Sequence, residues 1–222
     1  MGTQETFIMQ IAPIVQKYAK QYGYKVASPI IAQACLESRY GQSGLAKYHN
    51  YFGMKAGKSY TGPFVRMKTK EEYQKGVLTE IYDNFRTYPD MDSGVKGDFD
   101  FVSSNRYANL KTATNAEQYL VMIKNDGYAT STTYVKNNLA VVDRYNLRMY
   151  DTGVAPEIKP VDYSVKLTAN VNLRSSFSKE SVPVLNQPLP KGMILRIKSE
   201  CDGWGKVGDI DGWVCLQYSN KL

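Results

Sequence analysis

The chemistry open to this chain is narrow. It has one histidine, His49, and three cysteines, Cys35, Cys201 and Cys215, among 222 residues. A single imidazole cannot build a multi-histidine metal site, and three thiols cannot build a disulfide framework. No metal or cofactor is implied. Carboxylates remain, and Glu37 stands out. It falls three residues after Ala34 and seven after Ile30, beside an apolar helix stripe rather than opposite it. A carboxyl partly withdrawn from water there has its pKa raised, so that it can still hold the proton a general acid donates at neutral pH. On these residues alone a second reading stays open, in which Glu37 is solvated and pairs with Arg39 or Lys47. Cys35 and His49 have the types of a nucleophilic pair. However, Cys35 lies on the buried stripe of its helix and reads as an inert core thiol. Cys201 and Cys215 read as free thiols unless their strands are neighbours.

Several elements must position these groups. Ile8, Ile11, Val15, Tyr18 and Tyr22 recur at helical steps and predict a helix to about residue 22. Ser28-Pro29 predicts a second helix, with Ser28 as N-cap and Pro29 at its first position. Ile31, Ala34, Cys35 and Ser38 form its buried stripe, and Gly41 ends it. Alternation over 64–70 and 77–88 predicts two strands, joined by a long charged loop from Lys70 to Gly76. Helices return after Pro89. Val95, Phe99 and Val102 form one apolar face, and a Thr114-x-x-Glu117 capping box precedes Tyr119, Leu120 and Ile123. Val135, Leu139, Val142 and Tyr145 mark a last helix. Residues 151–162, with two Pro and one Gly, read as a linker. The period then changes to two, with short strands around Val165-Leu167-Ala169, Val171-Leu173, Ile194-Arg196-Lys198 and Gly212-Val214. That pattern predicts a small β-barrel.

Hydrophobic residues make up 43% of the chain, enough for real cores, and no apolar run reaches the length of a membrane span. The net charge of +7 points to an anionic partner such as nucleic acid, a membrane surface or an acidic cell wall. It divides as +5 over residues 1–160 and +2 beyond, without the dense basic stripe that tracks a phosphate backbone. A wall polymer therefore fits better than nucleic acid. Simple solubility explains the charge equally well.

The run Ala32-Gln33-Ala34-Cys35-Leu36-Glu37-Ser38-Arg39-Tyr40-Gly41-Gln42-Ser43, followed by Tyr48-His49-Asn50-Tyr51-Phe52-Gly53-Met54-Lys55, resembles the peptidoglycan N-acetylglucosaminidases of glycoside hydrolase family 73. The resemblance runs to about residue 150. It implies an α+β, lysozyme-like, mainly helical domain with a β-hairpin lobe closing over a sugar cleft. It also implies that Glu37 is the catalytic acid. The family's second carboxylate sits on the hairpin before a Gly and ahead of an F-R-x-Y element. That maps it onto Glu72, with Glu71, Glu80 and Asp83 as substitutes, since Phe85-Arg86-Thr87-Tyr88 matches the later element. Gly127-Tyr128-Ala129-Thr130 resembles a Y-A-T stretch whose Tyr borders the cleavage site, with Ser131-Thr132 where the family often has Asp-Pro. Asn50, Phe52 and Tyr134 are then expected to line the sugar subsites.

Val171-Asn172-Leu173-Arg174, Pro190-Lys191-Gly192-Met193, Gly203-Trp204-Gly205-Lys206-Val207 and Gly212-Trp213-Val214 resemble, in order, the strands and turns of a bacterial SH3 domain. The expectation is a glucosaminidase domain over 1–150, a linker over 151–162 and an SH3-like wall-binding domain over 163–222. It would act as a monomer on peptidoglycan, with no nucleic acid or membrane partner, and cut the bond between N-acetylglucosamine and N-acetylmuramic acid. A muramidase, or a non-catalytic wall-binding or phage structural protein, are the alternatives. With no basic leader or cleavage site visible, an extracellular or cell-wall protein, or one released at phage lysis, is expected.

Overall fold

The computed structural model describes residues 3–74, 77–152, 157–179 and 181–222, with the side chains of all of these except 70–74, 77, 78 and 152. Helix α1 (Thr3–Tyr22) buries Ile8, Ile11, Val15 and Tyr18, the expected stripe. Helix α2 (Ser28–Glu37) is central, and every residue from Ser28 to Cys35 is buried. Burial on all sides marks a helix in the middle of a core. Its start departs from expectation. Ser28 is already helical, and Ala27 holds the cap position without a side-chain bond. The acceptor is Asp151, far along the chain, which takes hydrogen bonds from the Ala27 and Ser28 amides at 2.7 and 2.8 Å and from the Ser28 hydroxyl at 2.8 Å. One carboxylate satisfies two orphan N–H groups and complements the helix dipole, which a lone hydroxyl cannot match.

Strands β1 (Phe64–Gln74) and β2 (Val77–Arg86) form an antiparallel hairpin, with Phe64 opposite Arg86 and Gln74 opposite Val77. The expected long loop over Lys70–Gly76 is largely strand. Backbone pairing continues to Gln74, with an irregularity between Glu72 and Gln74. Charged residues in the chain there do not end the backbone pairing, because on a two-stranded ribbon cross-strand charges attract. Lys68 and Glu80 do so at 2.7 Å.

Helix α3 (Met91–Val102) is capped by Asp90, which accepts from the Ser93 amide at 2.7 Å. Its face of Val95, Phe99 and Val102 is buried as expected. Helix α4 (Ala116–Asn125) is capped one residue later than the capping box predicts. Asn115 accepts from the Gln118 amide at 2.9 Å, while the Gln118 side chain accepts from the Thr114 amide and hydroxyl. Asparagine caps at least as well as threonine, so it takes the position. Helix α5 (Tyr134–Arg144) packs with α4 against α2.

The C-terminal part is a curled antiparallel sheet of β3 (Lys159–Leu167), β4 (Ile194–Cys201), β5 (Trp204–Val207), β6 (Trp213–Cys215) and β7 (Ser219–Lys221), in the order β6-β5-β4-β3-β7. It has its own core around Val165, Leu173, Leu195, Ile197 and Val214. Two expectations shift. The linker is shorter, because β3 already begins at Lys159. Pro160 is tolerated at a register irregularity, where its missing N–H breaks no ladder. Val171–Leu173 is not a strand: Val171 makes an isolated bridge to Leu189, and the Leu173 carbonyl accepts the Val184 amide at 2.8 Å.

The sheet does not hang free. The Lys206 ammonium, 3% exposed, pairs with Glu5 of α1. The Trp213 indole N–H donates to Glu5 at 3.2 Å, and the Ser175 hydroxyl donates to the Arg144 carbonyl. No helix among the described residues is long and apolar enough to cross a membrane.

Candidate active site

Glu37 is the last residue of α2. The Ser38 hydroxyl then donates to the Ala34 carbonyl at 2.6 Å and accepts the Gly41 amide at 2.8 Å, closing the helix. Three residues in the left-handed region follow: Arg39 (φ 51°), Tyr40 (φ 55°) and Gly41 (φ 77°). That conformation costs a side-chain-bearing residue about 1–2 kcal/mol. Gly41 suits it, and a Cβ there would lie 2.7 Å from the Phe7 ring. Tyr40 is repaid by packing on Tyr145, with ring centroids 5.8 Å apart.

Two arms of a groove meet at Glu37. The arm beneath the hairpin, about 510 Å³, is bounded by Arg39, Ser43, Lys55, Met67 and Lys68. The other, about 360 Å³, runs past Phe52, Met54, Phe101, Arg106 and Tyr128. Glu37 belongs to both arms and, among the described residues, is the only carboxylate lining either. It opens to the groove, yet the walls crowd it, and that desolvation raises its carboxyl above the usual carboxylate range.

Tyr128 follows α4 through Gly127, whose φ of 81° closes the helix end. A Cβ at Gly127 would lie 2.1 Å from the Arg106 guanidinium. The Tyr128 hydroxyl is buried without a hydrogen bond. Burial, with Asp98 the next cause, pushes its pKa well above the usual tyrosine value. The phenol therefore stays protonated and can act only as a neutral donor or acceptor.

These observations meet the comparisons with known proteins. The family described as mannosyl-glycoprotein endo-beta-N-acetylglucosaminidase, named Glucosaminidase, matches residues 12–147. This chain belongs to the glucosaminidase family. It is 33% identical over 171 residues to the exo-glucosaminidase LytG of Bacillus subtilis, covering 74% of this chain and 59% of that protein. It is 30% identical over 154 residues to the peptidoglycan hydrolase FlgJ of Salmonella typhimurium, covering 67% of this chain and 44% of that one. The chain thus spans about half the length of these relatives. Among solved structures, the catalytic domain of the autolysin Auto from Listeria monocytogenes is similar over 68% of this chain and 88% of that one. Its TM-score is 0.59 and its identity 30%. The family match lies in the helical half with its hairpin; nothing in these comparisons identifies the C-terminal sheet as an SH3 domain.

Within this glucosaminidase domain the expected site residues separate. Glu37, Phe52 and Tyr128 reach the groove. Asn50 does not. It is 1% exposed, its amide donates to the Met54 and Arg86 carbonyls at 2.9 Å each, and its oxygen accepts the Met54 amide at 2.8 Å. Two of these bonds hold Met54 and the third reaches Arg86 of β2, so the buried Asn50 side chain braces the groove wall. Tyr134 is also buried, below Tyr128 at 6.3 Å between rings, and its hydroxyl accepts from Gln33 at 2.5 Å. The Glu71 and Glu72 side chains lie outside the described residues. Of their substitutes, Glu80 is paired with Lys68 at 2.7 Å and Asp83 with Lys55 at 3.0 Å. Cys35 is fully buried and its thiol pKa is pushed up by desolvation, while His49 bonds the Tyr51 hydroxyl at 2.9 Å. All three cysteines are free.

Sequence reasoning missed Asp98 of α3. It is 2% exposed, its Oδ1 has no hydrogen bond, and burial pushes its carboxyl up to about 7. Tyr128, Glu37 and Arg86 are the groups that act on it. Its signal was present, because Val95, Asp98, Phe99 and Val102 fall at i, i+3, i+4 and i+7, placing a carboxylate on an apolar stripe.

Proposed function

We propose that this chain is a peptidoglycan hydrolase in which Glu37 is the general acid. The observation that carries the reading is the position of Glu37: a single desolvated carboxyl where the two arms of a sugar-sized groove meet. Protonated Glu37 gives its proton to the glycosidic oxygen as the C1–O bond breaks. Water then adds to C1 and returns a proton to the carboxylate. The neutral Tyr128 phenol presents its oxygen lone pairs to the positive charge that develops on the sugar. Glu72, carried on the hairpin, is the second carboxylate that stabilises the cationic sugar or activates the water. Phe52 offers an aromatic edge to a pyranose ring, while Asn50 and Tyr134 act from behind the wall.

The names of the relatives support both the bond type and the polymer, since LytG is an exo-glucosaminidase and FlgJ a peptidoglycan hydrolase. The bond assigned is the β-1,4 link on the reducing side of N-acetylglucosamine, in an extracellular or cell-wall setting. The curled C-terminal sheet, with its SH3-like sequence elements, is the wall-binding part and raises the local concentration of substrate.

Digesting peptidoglycan, reducing the new ends with borohydride and weighing the fragments tests the assignment. Reduced N-acetylglucosamine ends are expected; reduced muramic acid ends would make the chain a muramidase. Release by E72Q at the wild-type rate would remove Glu72 from the mechanism.

A further inference from the structure

Arg39 is the residue of the groove that the fold leaves unexplained. It holds a left-handed backbone (φ 51°) two residues after Glu37. Gly41 and Tyr40 in the same turn are accounted for by the Phe7 ring and by Tyr145. Arg39 has neither role. Among the described residues its guanidinium makes no ion pair, side-chain hydrogen bond or ring contact, and it stands exposed on the arm beneath the hairpin. Persistent strain of this kind collects at functional sites.

The charges around it are unbalanced. Lys55 and Lys68 line the same arm, but Lys55 is held by Asp83 at 3.0 Å and Lys68 by Glu80 at 2.7 Å. Glu37 is the one carboxylate described on that arm, and desolvation biases it towards its neutral form. The opposite arm differs. It shares Lys55, and its other cation, Arg106, is already bonded to the Asp126 carbonyl and lies beside the Tyr107 ring. One arm thus presents an uncommitted guanidinium and the other does not. A guanidinium is a planar fork of donors that matches the two oxygens of a carboxylate.

We propose that Arg39 is a specificity residue that binds a carboxylate carried by the glycan in the hairpin arm, so that the enzyme prefers a carboxylate-substituted glycan to a neutral one. The proposal rests on the hydrolase reading above. In peptidoglycan such carboxylates come from the lactyl ether on alternate sugars and the peptide attached to it; an unsubstituted N-acetylglucosamine polymer has none.

The test compares wild type and R39G on soluble peptidoglycan strands and on the same strands with their carboxylates converted to neutral amides. On native strands R39G should raise KM about three- to tenfold, the value of one ordinary net hydrogen bond in a solvent-exposed arm, with little change in kcat. On amidated strands the difference between the two proteins should vanish, and added salt should raise KM for wild type more than for R39G. R39G should melt no lower than wild type, since glycine accepts this φ without strain. An equal rise in KM on both substrates, or none on native strands, overturns the proposal. If wild type releases nothing from either substrate, the hydrolase reading fails instead. Binding of native and amidated strands to E37Q and to E37Q/R39G, measured by calorimetry, then still decides the question for Arg39.

Discussion

Asp98 and Lys206 are both charged residue types buried to within a few per cent, 2% and 3% exposed, and the molecule treats them in opposite ways. Lys206, in the C-terminal sheet, meets Glu5 and also Asp211 at 2.5 Å. Asp98, beneath the groove, keeps an oxygen without a partner, as do the hydroxyls of Tyr119 and Tyr128. Among the described residues every buried side-chain polar atom left unpaired belongs to the helical half. Satisfied buried charge holds parts together; of the unsatisfied groups, Ser43 and Tyr128 line the groove itself. The sheet uses its buried charge for docking on α1, and the helical half leaves an oxygen of its own buried carboxyl unpaired beneath the groove.

The largest test of this contrast is E37Q. It should lower kcat at least about 100-fold by removing the general acid, while binding to the wall and the melting temperature stay close to wild type. A matching loss of binding would move Glu37 from chemistry to recognition. Next comes K206A, which strands Glu5 at the seam and should destabilise the whole chain by about 3–5 kcal/mol in denaturant unfolding. Hydrolysis of short soluble fragments by the folded protein should be nearly unaffected. An unchanged midpoint would mean the seam contributes nothing. Y128F should reduce kcat by about tenfold or more and leave the melting temperature close to wild type, because its hydroxyl faces the Asp98 carboxyl without a well-aligned hydrogen bond. The reverse outcome would make Tyr128 a packing residue.

A further test lies in the pH dependence of stability. The Asp98 carboxyl is raised from 3.8 to about 7 in the folded chain, chiefly by burial. The folded state therefore holds a proton that the unfolded state has lost between these values. The resulting stability is full below about pH 4 and is lost as pH rises to 7. D98N should flatten that slope in melting curves recorded across this window. An unaltered slope would assign it to other groups, Glu37 first, whose raised carboxyl acts with the same sign.

Much of this arrangement can be read along the chain, and the exceptions have physical causes. The stripes of α1, α3 and α4 and the pairing of the hairpin follow from local periodicity. The cap of α2 does not, because its carboxylate, Asp151, arrives from the far end of the domain. Glu37 was legible as a carboxyl beside an apolar stripe, and Asp98 lay on such a stripe in the same way without being read. Asn50 has the right type for a sugar contact, but its three bonds into the loop and β2 use it up. Arg39 occupies a position that the resemblance leaves open. Its left-handed backbone and lack of a partner have no signature in residue order.

By itself the sequence determined the division into a helical half with a hairpin and a β-rich end, and it pointed to carboxylate chemistry with Glu37 as the leading candidate. These depend on composition, on periodicity and on motifs a few residues long. Only the tertiary structure decided which polar groups are left free to act, since satisfaction of a buried group depends on atoms brought together from distant segments. It closed Asn50, Asp83 and Glu80 into bonds, left Tyr128, Asp98 and Arg39 open, and joined the sheet to α1 through Lys206 and Glu5.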